Sequence, residues 1–243
     1  TLLHDDVVDS SSRRRGMDSA NTVFGNQASV LVGDFLYSRS FQMMVDIGDM
    51  RVMQILADAT NTIAAGEVMQ LMNVHNPDAT EDEYQQVIYR KTARLFEAGA
   101  QIASVLADCD PVVEAAMVHY GQSLGTAFQL VDDALDFNAS SEELGKNLGD
   151  DLAEGKATLP LIYAMQVGTE NERALIRKAI VDGGLEQMDA IQSIFESTGA
   201  LAYTERRAHE AADQAIAALA DIPGSEHKQA LISIAEFAVK RRS

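Results

Sequence analysis

Gly125-Thr126-Ala127-Phe128-Gln129-Leu130-Val131-Asp132-Asp133-Ala134-Leu135-Asp136-Phe137 sets three carboxylates inside a stretch that is otherwise largely apolar. Apolar positions recur here at three- and four-residue spacing, the period of a helix. On that helix Asp132 and Asp136 project from one face on successive turns. Like charges so placed repel, and beside Leu130, Val131 and Leu135 an uncompensated charge is costly. Hard divalent cations bound through carboxylate oxygens are the natural compensation. The same arrangement opens the chain as Asp5-Asp6-Val7-Val8-Asp9, with Asp5 lying 127 positions before Asp132. One such box reads equally well as a solvated acidic helix face. Two boxes, each at the edge of apolar sequence, read together as a paired metal site whose candidate ligands are Asp5, Asp9, Asp132, Asp133 and Asp136.

Outward from these boxes the helical period continues almost without interruption, and no alternating strand of useful length is evident. Helices are predicted at 22–46, 50–74, 81–107, 111–138, 157–167, 170–182, 186–198, 200–220 and 226–241. The breaks have physical causes. Asn76-Pro77-Asp78 followed by Thr80 and Glu83 reads as a stop and a capping box, and Asp110-Pro111 starts the next helix. Gly183-Gly184 and Pro223-Gly224 end two others. The expected class is all-α, a bundle around a central cavity. With four prolines and no linker-like tract in 243 residues, the chain is expected to be a single domain over 1–243.

Composition limits the partners. The chain has 37 acidic and 19 basic side chains, a net charge of -18, and such a surface repels nucleic acid and anionic membranes. Hydrophobic residues make up 47%, enough for a core, yet no apolar run reaches the roughly 18 residues of a membrane span. The single cysteine, Cys109, excludes an internal disulfide framework and a cysteine-rich zinc site, and the reducing cytoplasm is the expected compartment. An anionic ligand must therefore be met locally, by metal ions or by small cationic clusters.

Such clusters are present. Arg13-Arg14-Arg15 follows the first box, and arginine forks suit bidentate phosphate contacts, although compensation of a helix C-terminus reads as well for the run alone. Lys91-Thr92 on the helix 81–107 offers an ammonium and a hydroxyl. Gln129 shares the helix face of Asp132 and either hydrogen-bonds a reacting group or caps the polar end of a core. The run Leu144 to Lys156 packs three glycines, Lys146, Lys156 and two aspartates behind the second box, and reads as a mobile lid carrying charge to the site or, second, as a solvated loop.

At these residues the chain resembles the trans-isoprenyl (polyprenyl) diphosphate synthases. Asp5 to Asp9 with Arg14-Arg15-Gly16 resembles their first aspartate-rich motif, and Phe128 to Asp136 their second. Phe24-Gly25-Asn26, Leu31 to Leu36, Gly66 to Leu71, Tyr89 to Ala93 and Gly155 to Pro160 extend the likeness along essentially the whole chain. Within the family it is most similar to the bacterial octaprenyl diphosphate synthases. The resemblance implies an isoprenoid-synthase helical bundle, a homodimer, and three Mg2+ ions bridging Asp5, Asp9 and Asp132 to an allylic diphosphate. It implies that Arg14, Lys91, Thr92, Gln129, Lys146 and Lys156 hold that diphosphate and that Arg15 holds isopentenyl diphosphate. Asp5, Asp6, Asp9, Asp132, Asp133, Lys91 and Gln129 are the catalytic candidates.

The implied reaction is elongation of an allylic diphosphate, farnesyl diphosphate, by isopentenyl diphosphate to a long all-trans chain of octaprenyl length for a quinone side chain, a product that partitions into membranes. Ionisation, condensation and deprotonation follow in that order, the proton passing to the departing diphosphate. The family's Gly-Lys-Arg segment and a matching histidine lie upstream of the first box, so the N-terminal helices are expected to be missing from this chain. Thr1, small and four residues before Asp5, leaves room for a growing chain, and Met43, Met44 and Leu56 read either as its floor or as plain core, the commoner case at that spacing. Two other readings compete: a non-catalytic subunit of a heteromeric synthase, and a class I terpene cyclase, against which the aspartate-rich second box argues.

Overall fold

The structure, a computed structural model, describes residues 1–14, 16–138 and 149–241. It is helical, as the period requires. The elements in chain order are α1 (Leu2–Val8), β1 (Arg13–Arg14), β2 (Met17–Asp18), α2 (Ala20–Phe24), α3 (Asn26–Ile47), α4 (Met50–Asn73) and α5 (Glu81–Ile88). A π-helical turn at Tyr89–Ala93 leads into α6 (Arg94–Leu106), followed by α7 (Pro111–Asn138), α8 (Asp150–Ala153), α9 (Leu159–Val167) and α10 (Glu170–Asp182). A 3-10 turn at Leu185–Gln187 precedes α11 (Met188–Thr198), α12 (Ala200–Ala218) and α13 (Glu226–Lys240).

The long helix α7 organises the bundle. Its buried positions include Tyr120, Leu124, Ala127, Leu130, Val131, Ala134 and Phe137, a stripe at three- and four-residue spacing. Ala208, Ala211, Ala212 and Ala215 are buried on α12, and such small side chains let that helix lie close against α7. On its other flank α7 meets α6 and the π turn. A Cβ added to Gly125 would come 2.6 Å from Cα of Ala93, so only glycine permits this approach. Gly125→Ala must therefore push the turn that carries Lys91 and Thr92 away from α7. The expected cost is about 1–3 kcal/mol, as for other overpacked cores. A thermal melt within a degree of wild type would contradict this packing account.

Sequence expectation and structure differ at four places. The helix expected over 22–46 starts at Ala20 and is divided at Gly25, whose φ is +84°. The helix expected over 81–107 contains the π turn. Arg13–Arg14 and Met17–Asp18 form a two-stranded antiparallel hairpin, with Arg14 opposite Met17, too short for an alternating pattern to register. Finally, the described part of the expected lid, 149–156, is anchored: Leu152 is fully buried, and the N–H of Gly149 donates to the carbonyl of Asp136 at 2.8 Å. The capping box at Thr80 and Glu83 forms as expected, with the Thr80 N–H on Oε2 of Glu83 at 2.9 Å.

Candidate active site

Both aspartate boxes open on one cavity of about 1480 Å³. The helix α1 contributes Asp5, and Asp9 at its C-cap; α7 contributes Gln129, Asp132, Asp133 and Asp136, and the π turn contributes Lys91 and Thr92. Arg14 and Lys156 complete the set of expected residues on this wall. Asp6 does not line it: the residue is 2% exposed, and its carboxylate takes the Nε–H of Arg14 at 2.7 Å. That pair ties the hairpin to α1. Arg15 and Lys146, both expected to bind diphosphate, lie outside the described residues. Met43, Met44 and Leu56 do not form the floor. Met44 packs with Val52 and Ile55, Leu56 lies against that cluster and Met43 faces outward, while Tyr37, Thr60, Ile63 and Ala64 line the cavity instead.

The four described cations that line the cavity each rest on a carboxylate. Arg14 pairs with Asp6, and Lys91 lies 3.2 Å from Glu67. Lys156 sits among Asp151 at 3.5 Å, Asp9 at 3.8 Å and Glu154. Burial alone would lower the pKa of its ammonium, but Asp151, Asp9 and Glu154 together outweigh burial and raise it. Arg241, at the end of α13, was not singled out from the sequence. Its guanidinium stacks 3.9 Å above the ring of Phe128, donates to the Phe128 carbonyl at 2.9 Å and reaches Asp132 at 3.5 Å.

The carboxylates divide by environment. Asp133 and Asp136 are 2% and 8% exposed, and burial, followed by the charge of Asp151, pushes both well above the usual carboxylate range. Asp133 accepts from the Tyr84 hydroxyl at 2.5 Å and from Nε2 of Gln129 at 2.7 Å. Gln129 in turn accepts from the Thr92 hydroxyl at 2.7 Å. Asp136 accepts the N–H of Asp151 at 3.3 Å. Asp5, by contrast, has no side-chain hydrogen bond or ion pair among the described residues. Asp9 and Asp132 have only the longer contacts to Lys156 and Arg241, and the Asp132 side chain is 44% exposed.

This donor set fits a hard divalent cation. Asp5, Asp9 and Asp132 offer oxygens with little competing engagement. Among the described residues, no three His, Cys, Asp or Glu side chains come together closely enough to hold an ion. Magnesium is characteristically held in this way, by one or two carboxylates and the oxygens of a bound phosphate, rather than in an all-protein cage.

A second bracket lay beyond sequence reasoning. His75 takes up a φ of +60°, donates its N–H to the Gly155 carbonyl at 2.8 Å, and sets Nδ1 3.0 Å from the Ile180 carbonyl. Gly155 itself has a φ of +74°, and a Cβ there would lie 2.3 Å from the His75 ring. The turn that presents Lys156 is thus held from both sides.

Comparison with known proteins agrees with this geometry. A sequence profile of the polyprenyl synthetase family matches residues 1–198. The octaprenyl diphosphate synthase of Escherichia coli (strain K12) is 54% identical over 242 residues, 99% of this chain and 75% of that protein. The octaprenyl diphosphate synthase of Haemophilus influenzae is 52% identical over 242 residues, 99% of this chain and 74% of the relative. A crystal structure of polyprenyl synthase from Caulobacter crescentus CB15, complexed with calcium and isoprenyl diphosphate, superposes with a TM-score of 0.95 at 43% identity, covering 100% of this chain and 74% of that one. With two facing aspartate boxes, a helical bundle and relatives matched along nearly its whole length, the chain belongs to the polyprenyl synthetase family.

Proposed function

We propose that the protein is a trans-prenyltransferase that elongates an allylic diphosphate with isopentenyl diphosphate to a long-chain all-trans polyprenyl diphosphate. The allylic partner is farnesyl diphosphate and the product is of octaprenyl length, destined for a quinone side chain. The observation that carries this reading is that Asp5, Asp9 and Asp132, from boxes far apart in sequence, line one cavity together with Lys91, Lys156 and Arg14. The identity with octaprenyl diphosphate synthases supports the chain length.

Asp5, Asp9 and Asp132 are the residues that would hold magnesium, three ions in this reading, which when bound neutralises charge building on the departing diphosphate. Lys91, Arg14, Lys156 and the free N–H of Gln129 hold the diphosphate oxygens, with the Thr92 hydroxyl beside them; Lys146 is assigned to the same task and Arg15 to isopentenyl diphosphate. In the structure Arg14, Lys91 and Lys156 rest on Asp6, Glu67 and Asp9 with its neighbours, so a bound anion competes with, or shares, these contacts. Val87, Ile88, Ile63, Leu95 and Phe96 also line the cavity. They exclude water from a developing allylic cation and offer the lengthening hydrocarbon an apolar bed.

The assembly is a homodimer in this reading. Leu31, Phe35 and Leu36 on α3 are 67%, 63% and 50% exposed, an apolar face suited to a second copy. No described helix is long and apolar enough to cross a membrane, and with one cysteine the cytoplasm is the assigned compartment. The test is to incubate the full-length protein with farnesyl diphosphate, labelled isopentenyl diphosphate and magnesium, then size the product. A ladder ending at octaprenyl length is expected. An unchanged farnesyl pool sinks the synthase reading, and a cyclic hydrocarbon replaces it with a cyclase.

A further inference from the structure

The hydrogen-bonded chain from Asp133 to Thr92 begins at Tyr84, a residue the proposed reaction does not otherwise use. We propose that Tyr84 is a positioning residue for the condensation: its phenol, donated to Asp133, sets the direction of each hydrogen bond through Gln129 to Thr92. The proposal rests on the prenyltransferase reading above.

Tyr84 lies on α5, a separate element from the boxes, and is 7% exposed. Its hydroxyl reaches Oδ2 of Asp133 at 2.5 Å, while Nε2 of Gln129 reaches Oδ1 at 2.7 Å. When Asp133 is ionised it only accepts, so both neighbours then donate to it. Gln129 therefore turns its amide nitrogen to Asp133 and its oxygen to Thr92, and the Thr92 hydroxyl spends its one proton on that oxygen, 2.7 Å away. What remains for the cavity is one N–H of Gln129 and the lone pairs of the Thr92 oxygen. Without the Tyr84 hydroxyl, Oδ2 of Asp133 is buried with no donor among the described residues. Gln129, already on Oδ1, could offer Oδ2 its second N–H only by swinging the amide away from its aim. Tyr84 packs in a core cluster with Ile88, Leu130 and Val131, yet Tyr84, Asp133, Gln129 and Thr92 all line the cavity, so the pair joins that core to the site.

The experiment compares full-length wild type, Tyr84→Phe, Gln129→Ala and the double variant in steady-state elongation of farnesyl diphosphate with isopentenyl diphosphate and magnesium. Tyr84→Phe should lower kcat by about ten- to a hundredfold, with KM for both substrates within about threefold, the signature of lost orientation. In the Gln129→Ala background the same change should cost less than about twofold, because its route is already gone. A kcat within about twofold of wild type, or losses that multiply in the double variant, overturns the assignment. Should Tyr84→Phe lose its helical circular dichroism, Asp133→Asn tests the chain from its other end. Asn accepts from Tyr84 but turns an N–H toward Gln129, so kcat should fall with no recovery at high magnesium; an unchanged kcat, or full recovery at high magnesium, overturns the proposal. A wild type that does not elongate at all refutes the functional reading instead.

Discussion

Asp132→Ala is expected to reduce elongation by about a thousandfold or more, which at 1.36 kcal/mol per factor of ten corresponds to about 4 kcal/mol of lost transition-state stabilisation. Asp5→Ala should do the same from the opposite wall. Both residues are placed to lose function without losing the fold. Asp132 is 44% exposed and its one side-chain partner, Arg241, is 3.5 Å away. Asp5 has no side-chain partner among the described residues. Removing one negative charge from a chain of net charge -18 relieves repulsion, so the melting temperature should hold or rise slightly. The measurement is steady-state elongation across a magnesium titration, with far-UV circular dichroism as the check on folding. Turnover near wild type in either variant removes that residue from the metal assignment. Asp6→Ala is the contrasting control: it strands Arg14 at the hairpin and should lower stability, because a half-buried ion pair loses its buried partner.

Helices announced themselves wherever local chemistry and period agreed. Thr80 and Glu83 close a capping box, Asp110 caps the start at Pro111, and the apolar stripe of α7 runs unbroken into the second box. The π turn at Tyr89–Ala93 had no such signal. No proline or glycine interrupts Tyr89-Arg90-Lys91-Thr92-Ala93, and the inserted register is absorbed in the backbone where α4 and α7 press on it. The boxes were legible because repeated like charge in apolar sequence demands an explanation. Their inner division was not. Asp132 and Asp133 are adjacent and chemically identical in sequence and both line the cavity, but Tyr84 arriving from α5 and Gln129 make Asp133 a buried acceptor while Asp132 stays half-exposed. Arg241, separated by 109 positions from the aspartate it touches, carried no motif at all. Met43 and Met44 failed as a floor because helical spacing alone does not distinguish the face toward a cavity from the face toward core or solvent.

Phe137→Ala should be the most destabilising of the single changes considered, by about 3–5 kcal/mol. Phe137 is 1% exposed and meets Phe195 edge to face at 5.1 Å, within a cluster that includes Leu152, Leu161, Ile176, Ile180 and Ile191. Alanine leaves a cavity that these branched side chains, fixed on four other helices, cannot close. At roughly 2–4 °C per kcal/mol for a chain of this size, the melt should fall by about 10 °C, while Phe137→Leu, nearer in volume, should lose much less. The effect on activity should exceed what stability explains. Phe137 directly follows Asp136, and the same cluster buries Leu152, four residues before Lys156. Loosening it therefore frees the end of the second box and the lysine turn together. At a temperature where Phe137→Ala is still fully folded, KM for the allylic diphosphate should rise several-fold with kcat less affected. If the melt shifts by less than about 2 °C, this core is not what braces the second box. A large shift with unchanged KM would mean that the brace extends to the fold but not to the lysine.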